Sequence, residues 1–338
     1  MEECSSRYCK VCVTGGSGFI GSSLIKKLLN KGIYYVHATL RNLEDTSKVS
    51  LLKQLPGAKE RLQLFEADIY NPDQFEAAIK YCQFVFHVAT PFQHPQHSQY
   101  KDLTEGAVAG TKSIIMACER SGTVRRIIYT SSVMAASALS NGIAGLKDFV
   151  DETCWTPLHH PLVTSSLHKN YIISKTESEK AALRFGDDGN LEVVSLACGL
   201  VGGDTLLSYT PSSTAVIVSQ LTEIEHQFQS LRLIEELSGK IPILHIEDTC
   251  DAHIFCIEKD SLHGRFLCAS DYVSSSEIAE YFQQTYPELQ VKQKYLDEPK
   301  KSTKWASTKL IDQGFEYKYD MKMILDDSVK CAKRHSLL

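Results

Sequence analysis

The 338-residue chain has no long apolar run and no excess of positive charge. No stretch approaches the roughly 20 apolar residues of a membrane-spanning helix, and the first ten residues lack the apolar centre of a secretion signal. With 36 basic and 41 acidic residues, the net charge of −5 disfavours nucleic acid or an anionic membrane as the main partner. Internal repeats and low-complexity tracts are also missing. We therefore expect a cytoplasmic, globular protein, as a monomer or homodimer.

The chain also lacks the spacings of a disulfide framework or a metal site. Its eleven cysteines are an odd number scattered from Cys4 to Cys331, as expected of thiols in a reducing compartment. Cys9 and Cys12 form a C-x-x-C pair, but the pair runs into an apolar strand, which disfavours a redox role. The twelve histidines show no spacing of a closed zinc site. We expect no bound metal ion.

One glycine-rich stretch, Lys10–Leu29, organises the rest of the chain. A short apolar run precedes three glycines at three-residue spacing, and leucine and isoleucine then recur with helical period. A chain that turns sharply from strand into helix needs glycine for the turn, for close approach of a phosphate and for helix–strand packing. The start of the helix presents free N–H groups and the positive end of its dipole to a pyrophosphate. The stretch therefore predicts a dinucleotide site that includes Gly15, Gly18, Phe19, Ile20 and Gly21.

The residue after the second strand decides between the two nicotinamide cofactors. That strand is predicted over Tyr34–Leu40, and an NAD-preferring protein places an acidic residue at its end to bind both ribose hydroxyls. This chain has Arg41 there and Lys48 seven residues later, whereas Glu44 and Asp45 lie further into the loop. A guanidinium suits a 2′-phosphate because it forms paired, charge-assisted hydrogen bonds. We therefore predict NADP(H).

Strands and helices alternate along the chain at βαβ spacing. Further strands are predicted at 62–65, 84–88, 126–129 and 191–196, which indicates an α/β protein with a Rossmann-type, doubly wound parallel sheet. Ligands of such sheets bind at the carboxyl ends of the strands, where Asp68, Ala89, Thr90 and Ser132 fall. We predict an NADP-binding Rossmann domain over residues 1–200, with returns from about 241–258, and a mainly substrate-binding lobe over residues 201–338.

Two polar motifs bring catalytic groups to the predicted sheet. Tyr129-Thr-Ser-Ser132 ends the fifth strand, and Tyr171-Ile-Ile-Ser-Lys175 opens a helix in which Tyr171 and Lys175 share one face. A phenol has a pKa of about 10, and a nearby ammonium lowers it, so that Tyr171 can act as a general acid to a carbonyl as hydride arrives. Lys175 also suits the nicotinamide ribose, and Ser132 suits the developing oxyanion. We predict catalysis by Ser132, Tyr171 and Lys175, with Ser132 and Tyr171 also touching the substrate.

These motifs resemble those of the extended short-chain dehydrogenase/reductases. Within that family they look most like the plant dihydroflavonol reductase group, which includes anthocyanidin reductase and vestitone reductase. The motifs are Thr14–Gly21, His87–Pro91, Tyr129–Ser132 and Tyr171-x-x-x-Lys175, followed by Leu206-Leu207, His245–Asp248 and Ala252–Ile254. The resemblance implies the same catalytic residues and 2′-phosphate contacts from Arg41 and Lys48. It also implies cofactor contacts from Asp68, Ile69, Val88, Thr90, Cys198, Val201 and Ser213.

Three positions depart from the pattern of that family. Cys198 stands where the family usually has proline, which changes the shape of the nicotinamide edge. Ser137 is the substrate-contact candidate where dihydroflavonol reductases commonly carry Asn or Asp against the substrate's B-ring, and this disfavours dihydroflavonol itself. The related cinnamoyl-CoA reductases carry Asn-Trp-Tyr-Cys-Tyr, whereas this chain has Lys169–Ser174, which disfavours a CoA thioester.

The residues predicted to wall the substrate pocket are mainly apolar and aromatic. They come from the loop 135–166 with the residue before it, and from the stretch after Gly203. The apolar and aromatic members are Met134, Phe149, Trp155, Leu206, Leu207, Tyr209 and Val216, and Ser137 and Ser208 add hydroxyls. Such walls suit flat, mostly apolar ligands, and no cluster of Arg or Lys is present there to hold a diphosphate. The sequence predicts an NADPH-dependent reductase of a flavonoid-type plant phenolic. A nucleotide-sugar epimerase with tightly held NAD and a non-catalytic NADP-binding module stay open as alternatives.

Overall fold

The computed structural model describes residues 9–91, 94–140, 145–189, 191–297 and 303–338. The strands are β1 (Cys9–Thr14), β2 (Tyr34–Leu40), β3 (Leu62–Glu66), β4 (Phe84–His87), β5 (Arg126–Ser132), β6 (Phe149–Val150), β7 (Glu192–Cys198), β8 (Leu200–Gly202), β9 (Ile241–His245), β10 (Gly264–Cys268), β11 (Asp271–Val273) and β12 (Lys304–Trp305). Residues 1–8, which include Cys4, lie outside the described residues, as do residues 141–144 of the predicted pocket loop.

The helices vary widely in length. They are α1 (Phe19–Lys31), α2 (Thr46–Lys53), α3 (Ala58–Arg61), α4 (Phe75–Ile79), α5 (Leu103–Ser121), α6 (Pro161–Thr164), α7 (Lys169–Asp188), α8 (Ser212–Ile217), α9 (Ser219–Thr222), α10 (Glu225–Ser238), α11 (Ile246–Glu258), α12 (Ser275–Thr285), α13 (Gln293–Leu296), α14 (Lys309–Asp312) and α15 (Met321–Arg334). Short 3-10 turns lie at Pro72–Gln74, Val133–Ala135 and Pro287–Leu289.

Seven strands form one sheet in the order β10-β7-β5-β4-β1-β2-β3. The pairs β1–β2, β2–β3, β1–β4 and β4–β5 are parallel. The strand order reverses direction between β1 and β4, and such switch points are where open α/β sheets bind ligands. The predicted fold class, a Rossmann-type parallel sheet, is confirmed.

The first strand and helix follow directly from the residue pattern. Val11, Cys12 and Val13 are fully buried, as expected of a strand covered on both faces. In α1, the buried leucine and isoleucine side chains recur with helical period, and the helix ends at Gly32 in the left-handed conformation.

One strand lies in a segment for which the sequence predicts none. The sequence predicts a long loop from Gly203 to Ser213 and no strand in the glycine-containing segment before it, but β8 occupies Leu200–Gly202 there and pairs in parallel with β9. A Cβ on Gly202 would lie 2.7 Å from Oγ of Ser328 and 2.8 Å from Cγ2 of Ile324, so glycine permits the close approach of α15. Gly202 makes the segment look unlike a strand in the sequence, yet the packing of β8 against α15 requires it.

The chain divides into two compact units, each with its own apolar core. The first contains the residues up to Thr130 with Glu177–Ser195 and His253–Gly264, and the second contains Ser131–Thr176, Leu196–Ala252 and Arg265–Leu338. The domain boundary expected near residue 200 stays a prediction. In the described parts of the chain, no helix combines the length and the apolar character that crossing a membrane requires. All ten described cysteines are free thiols, and no group of three or more metal-ligating side chains is found in the same residues.

Candidate active site

The turn from β1 into α1 needs glycine for reasons internal to the chain. Gly15 has a φ of +70°, in the left-handed region, and a Cβ there would lie 3.0 Å from Cα of Ala89. A Cβ on Gly21 would overlap the carbonyl oxygen of Gly15, so glycine lets α1 pack against the turn. Two of the three predicted glycines are therefore required by the backbone itself.

The remaining predicted glycine, Gly18, directly precedes α1. It is exposed, and the nearest atom to a Cβ there would be the carbonyl oxygen of Gly15 at 3.4 Å. Among the described side chains none caps α1, and its first turn, which begins with the half-buried Phe19 and Ile20, has no acidic residue. An open helix start with free N–H groups suits a pyrophosphate. The residues of this turn therefore fit a nicotinamide dinucleotide.

A buried threonine joins the ends of β1 and β4. The Thr14 hydroxyl accepts the backbone N–H groups of Val88 (3.1 Å) and Ala89 (3.0 Å) and lies 3.0 Å from Nδ1 of His87. Because both lone pairs of the hydroxyl are used, it donates its proton to Nδ1. Nε2 of His87 then carries the ring proton and lies 3.3 Å from the Thr111 hydroxyl. This network fixes the chain that follows β4 against the glycine turn.

The two predicted 2′-phosphate contacts differ in their surroundings. Arg41 is exposed, and no ion pair or hydrogen bond of its guanidinium is found among the residues that the structure describes. Nζ of Lys48 lies 2.7 Å from Oδ2 of Asp45, whose side chain also caps α2. Its hydrogen bonds to Lys48 and Ser47 hold the pKa of the Asp45 carboxyl well below its usual range. Arg41 is thus available to an anion, whereas Lys48 already has a partner.

The remaining predicted contacts of the first unit follow β3 and β4. The Asp68 carboxylate accepts the N–H of Tyr70 (3.0 Å), so this residue is held in a tight turn after β3. Ile69 is buried with 7% exposure. Val88, Ala89 and Thr90 follow β4 and are half-buried.

The predicted catalytic residues all lie in the second unit. Ser132 ends β5, and its side chain is hydrogen-bonded to the phenol of Tyr171 in the first part of α7. Lys175 lies one turn further along the same helix with only 5% exposure. A lysine is rarely so buried without a polar partner, and the four-residue spacing puts it on the same face as Tyr171. The structure therefore brings Ser132 and Tyr171 into contact.

The pKa of Tyr171 differs from the sequence-based expectation. Burial raises the pKa of this phenol, the hydrogen bond from Ser132 lowers it by less, and the nearby Cys198 thiol raises it. The predicted lowering is therefore wrong for the protein by itself, because removal from water penalises the phenolate. The phenol stays protonated at neutral pH, as a proton donor must.

The other predicted contacts of the second unit are largely buried. The thiol of Cys198 donates to the carbonyl oxygen of Leu196 (3.5 Å), and Val201 in β8 is 6% exposed. Ser213 lies half-buried in α8. Ser137 has no exposed surface, and its hydroxyl accepts the N–H of Leu139 (3.4 Å). Its role as a substrate contact stays a prediction.

The predicted pocket walls fall into three groups by exposure. Met134 and Leu207 are buried, and Met134 packs in the apolar core of the second unit. The half-buried members are Trp155, Leu206 and Val216. Phe149, Ser208 and Tyr209 are exposed.

Comparison with known proteins gives the family. The family model described as the NAD dependent epimerase/dehydratase family matches residues 11–269. The chain belongs to this family. It is 38% identical over 328 residues to anthocyanidin reductase ((2S)-flavan-3-ol-forming) of Vitis vinifera, covering 97% of this chain and 96% of that protein. It is 33% identical over 330 residues to dihydroflavonol 4-reductase of Arabidopsis thaliana, covering 97% and 83%.

A solved structure of a third protein is similar over nearly its whole length. Vestitone reductase from alfalfa (Medicago sativa L.) superimposes with a TM-score of 0.81 at 35% identity, covering 97% of this chain and 99% of that one. The predicted resemblance to the plant reductases of this group is confirmed, as is the prediction of an oxidoreductase. A nicotinamide cofactor follows from membership in the NAD dependent epimerase/dehydratase family.

Sequence reasoning missed the roles of two threonines whose hydroxyls hold the glycine turn. Besides Thr14, the Thr39 hydroxyl accepts the N–H of Gly15 (3.2 Å). Both threonines are buried polar residues at or near the ends of apolar strands, next to a predicted ligand edge. That position was the available signal, since a buried hydroxyl needs a hydrogen-bond partner.

Proposed function

We propose that the protein is an NADPH-dependent reductase that transfers hydride to a carbonyl, or a conjugated equivalent, of a flavonoid-type plant phenolic. Tyr171 acts as the general acid. The observation that carries this proposal is the hydrogen bond between Tyr171 and Ser132, one helical turn from the buried Lys175. The similarity to anthocyanidin, dihydroflavonol and vestitone reductases supports the same chemistry.

The proposed mechanism divides the work among three side chains. The bound nicotinamide supplies the hydride. When substrate binds, Ser132 redirects its single hydroxyl proton from Tyr171 to the substrate oxygen and stabilises the charge that develops there. Tyr171 transfers its phenolic proton to that oxygen, which completes the alcohol and leaves a phenolate to be reprotonated from solvent. Lys175 stabilises that phenolate by its positive charge and binds the nicotinamide ribose.

The choice of NADPH over NADH rests on the end of β2. An exposed guanidinium at Arg41, without a partner among the described residues, suits a 2′-phosphate through two parallel charge-assisted hydrogen bonds. No acidic residue follows the strand directly. We further propose residues 1–200, with returns from about 241–258, as the NADP-binding domain and residues 201–338 as mainly the substrate-binding lobe.

The proposed substrate class rests on the residues expected around the substrate. The half-buried Trp155, Leu206 and Val216 supply apolar surface, and few hydroxyls accompany them. Such surroundings suit a flat ring system with a few polar groups. We propose cytoplasmic action on a small phenolic molecule, with no nucleic acid or membrane as partner.

Steady-state oxidation of NADPH against a panel of flavonoids, isoflavonoids and other plant ketones tests the proposal. We expect turnover with at least one phenolic ring system and its loss in Tyr171→Phe. UDP-sugars are the matched comparison. If UDP-sugars bind at micromolar levels and the protein retains NAD through gel filtration, the epimerase alternative replaces the reductase. If NADPH binds but no substrate of a broad panel is reduced, the protein is a non-catalytic module.

A further inference from the structure

The turn that follows Ser132 is held by hydrogen bonds from a second segment. The Ser132 hydroxyl accepts the N–H of Met134 (3.2 Å) and so begins the 3-10 turn Val133–Ala135. Thr156, which is 2% exposed, donates its backbone N–H to the carbonyl oxygen of Ala135 (3.0 Å) and its hydroxyl to that of Met134 (2.8 Å). The position of the Ser132 hydroxyl therefore depends on contacts more than twenty residues away in sequence.

A buried arginine completes this arrangement. Arg265 in β10 is 5% exposed, and its guanidinium donates to the carbonyl oxygens of Glu152 (3.0 Å), Cys154 (2.6 Å) and Ala135 (3.2 Å). The guanidinium carbon lies 3.7 Å from the ring centroid of Trp155. A planar fork of five donors suits three carbonyl acceptors and an aromatic face, which the single ammonium of lysine does not reproduce.

We propose that Arg265 is a positioning residue that holds the Val133–Ala135 turn and thereby keeps the Ser132 hydroxyl against Tyr171. Arg265 donates directly to the last carbonyl of the turn, and the turn begins at the Ser132 hydroxyl. A displacement of the turn by about 1 Å is enough to break the Ser132–Tyr171 hydrogen bond and to cost about 10²-fold in rate. The inference rests on the function proposed above for Ser132 and Tyr171.

The first test needs no substrate. In protein labelled with ¹³Cζ-tyrosine, the Tyr171 signal is assigned by its loss in Tyr171→Phe and is measured near neutral pH. We expect Arg265→Lys to move this signal in the same direction as Ser132→Ala. In the double variant we expect no movement beyond that of Ser132→Ala, because the hydrogen bond is already gone.

The second test uses turnover of the best phenolic substrate. We expect Arg265→Lys to lower kcat by about 10- to 100-fold with the NADPH dissociation constant unchanged. On the Ser132→Ala background the same change should lower kcat by less than about twofold, since residues that act as a unit are strongly non-additive. Thr156→Val, which removes only the side-chain bond to the turn, should move kcat and the Tyr171 signal in the same directions by less.

The chain offers a matched control in a second buried arginine. Arg126 is 1% exposed at the start of β5, and its guanidinium donates to the backbone carbonyls of Cys256, Lys259 and Asp260. We expect Arg126→Lys to lower Tm while leaving kcat and the Tyr171 signal unchanged. This control therefore distinguishes an effect of lower protein stability from an effect of a displaced Ser132 hydroxyl.

Three outcomes overturn the proposal. In the first, Arg265→Lys behaves like Arg126→Lys, with a lower Tm but an unchanged Tyr171 signal. In the second, the kcat losses of Arg265→Lys and Ser132→Ala multiply. In the third, Arg265→Lys fails to fold and the folded Thr156→Val leaves the Tyr171 signal in place. If the wild-type protein reduces no phenolic substrate, the proposed function fails, and the tyrosine signal still decides the role of Arg265.

Discussion

Arg41 and Lys48 are expected to contribute unequally to the choice of cofactor. A hydrogen bond to a charged group contributes about 1.5–3 kcal/mol, and about 1.4 kcal/mol is tenfold in affinity. Arg41→Ala should therefore lower the ratio of kcat/KM for NADPH to that for NADH by about 10- to 100-fold. Lys48 must exchange its 2.7 Å contact with Asp45 for the phosphate. Breaking an exposed pair of this kind costs about 0–1 kcal/mol, and this cost subtracts from the phosphate contact, so Lys48→Ala should lower the ratio by up to about fivefold less than Arg41→Ala does.

The structure also predicts a change that improves the preference for NADPH. Asp45→Asn keeps a side-chain oxygen at the start of α2, and asparagine caps helices as well as aspartate does. The change frees the ammonium of Lys48 and removes a negative charge from the same loop. We expect the NADPH/NADH ratio to rise by about fivefold or less.

Steady-state kinetics with both cofactors at matched ionic strength measures all three variants. Salt should compress every difference, because exposed phosphate contacts are screened. An unchanged ratio in Arg41→Ala refutes the assignment of the 2′-phosphate contact. A larger loss in Lys48→Ala than in Arg41→Ala, or a lower ratio in Asp45→Asn, refutes the distinction drawn from the ion pair.

Further predictions concern acid catalysis and pH. Tyr171→Phe should lower turnover by about 10²-fold or more while NADPH still binds, and near-normal turnover contradicts the proposed acid. Lys175→Ala should lower both turnover and NADPH affinity in fluorescence titration, because it serves both. Ser132→Ala removes the bond that lowers the pKa of Tyr171 in the free protein, so the alkaline limb of the profile of kcat/KM against pH should move to higher pH and not lower. Burial lowers the pKa of His37. The free energy of unfolding should therefore decrease as the pH falls below about 6.5, because the unfolded chain takes up a proton that the folded chain does not. In urea titrations, His37→Asn should reduce this dependence of the unfolding free energy on pH.

The first strand, turn and helix of the fold are predictable because their signals are local. Three signals lie within about twenty residues: the apolar run Val11 to Val13, Gly15 and the helical period of α1. They predict a strand, a tight turn and a helix, respectively. The strand over Tyr34–Leu40 has the bounds expected from the sequence. Because Arg41 is the first residue after this strand, the strand boundary alone identifies it as the candidate 2′-phosphate contact.

Features that depend on distant contacts were not predictable. A glycine at 202 indicates a loop until α15 is known to pack against it. Ser137 is a candidate substrate contact by its position in sequence, yet the structure gives it no exposed surface. The carbonyls bound by Arg265 lie more than one hundred residues away in the chain, and a backbone carbonyl has no sequence signal.

The pKa of Tyr171 shows how the same residues give a different conclusion once burial is known. Sequence spacing identifies an ammonium four residues away and predicts a lowered pKa, but burial raises the pKa and outweighs the hydrogen bond from Ser132. A phenol that stays protonated is ready to give a proton to a substrate oxygen and poorly prepared to take one from an alcohol. In the proposed reaction, the resting phenol therefore has the protonation state that reduction of a carbonyl requires at neutral pH. Before substrate binds, the hydrogen bond from Ser132 offsets part of the rise in the pKa of this phenol that burial causes.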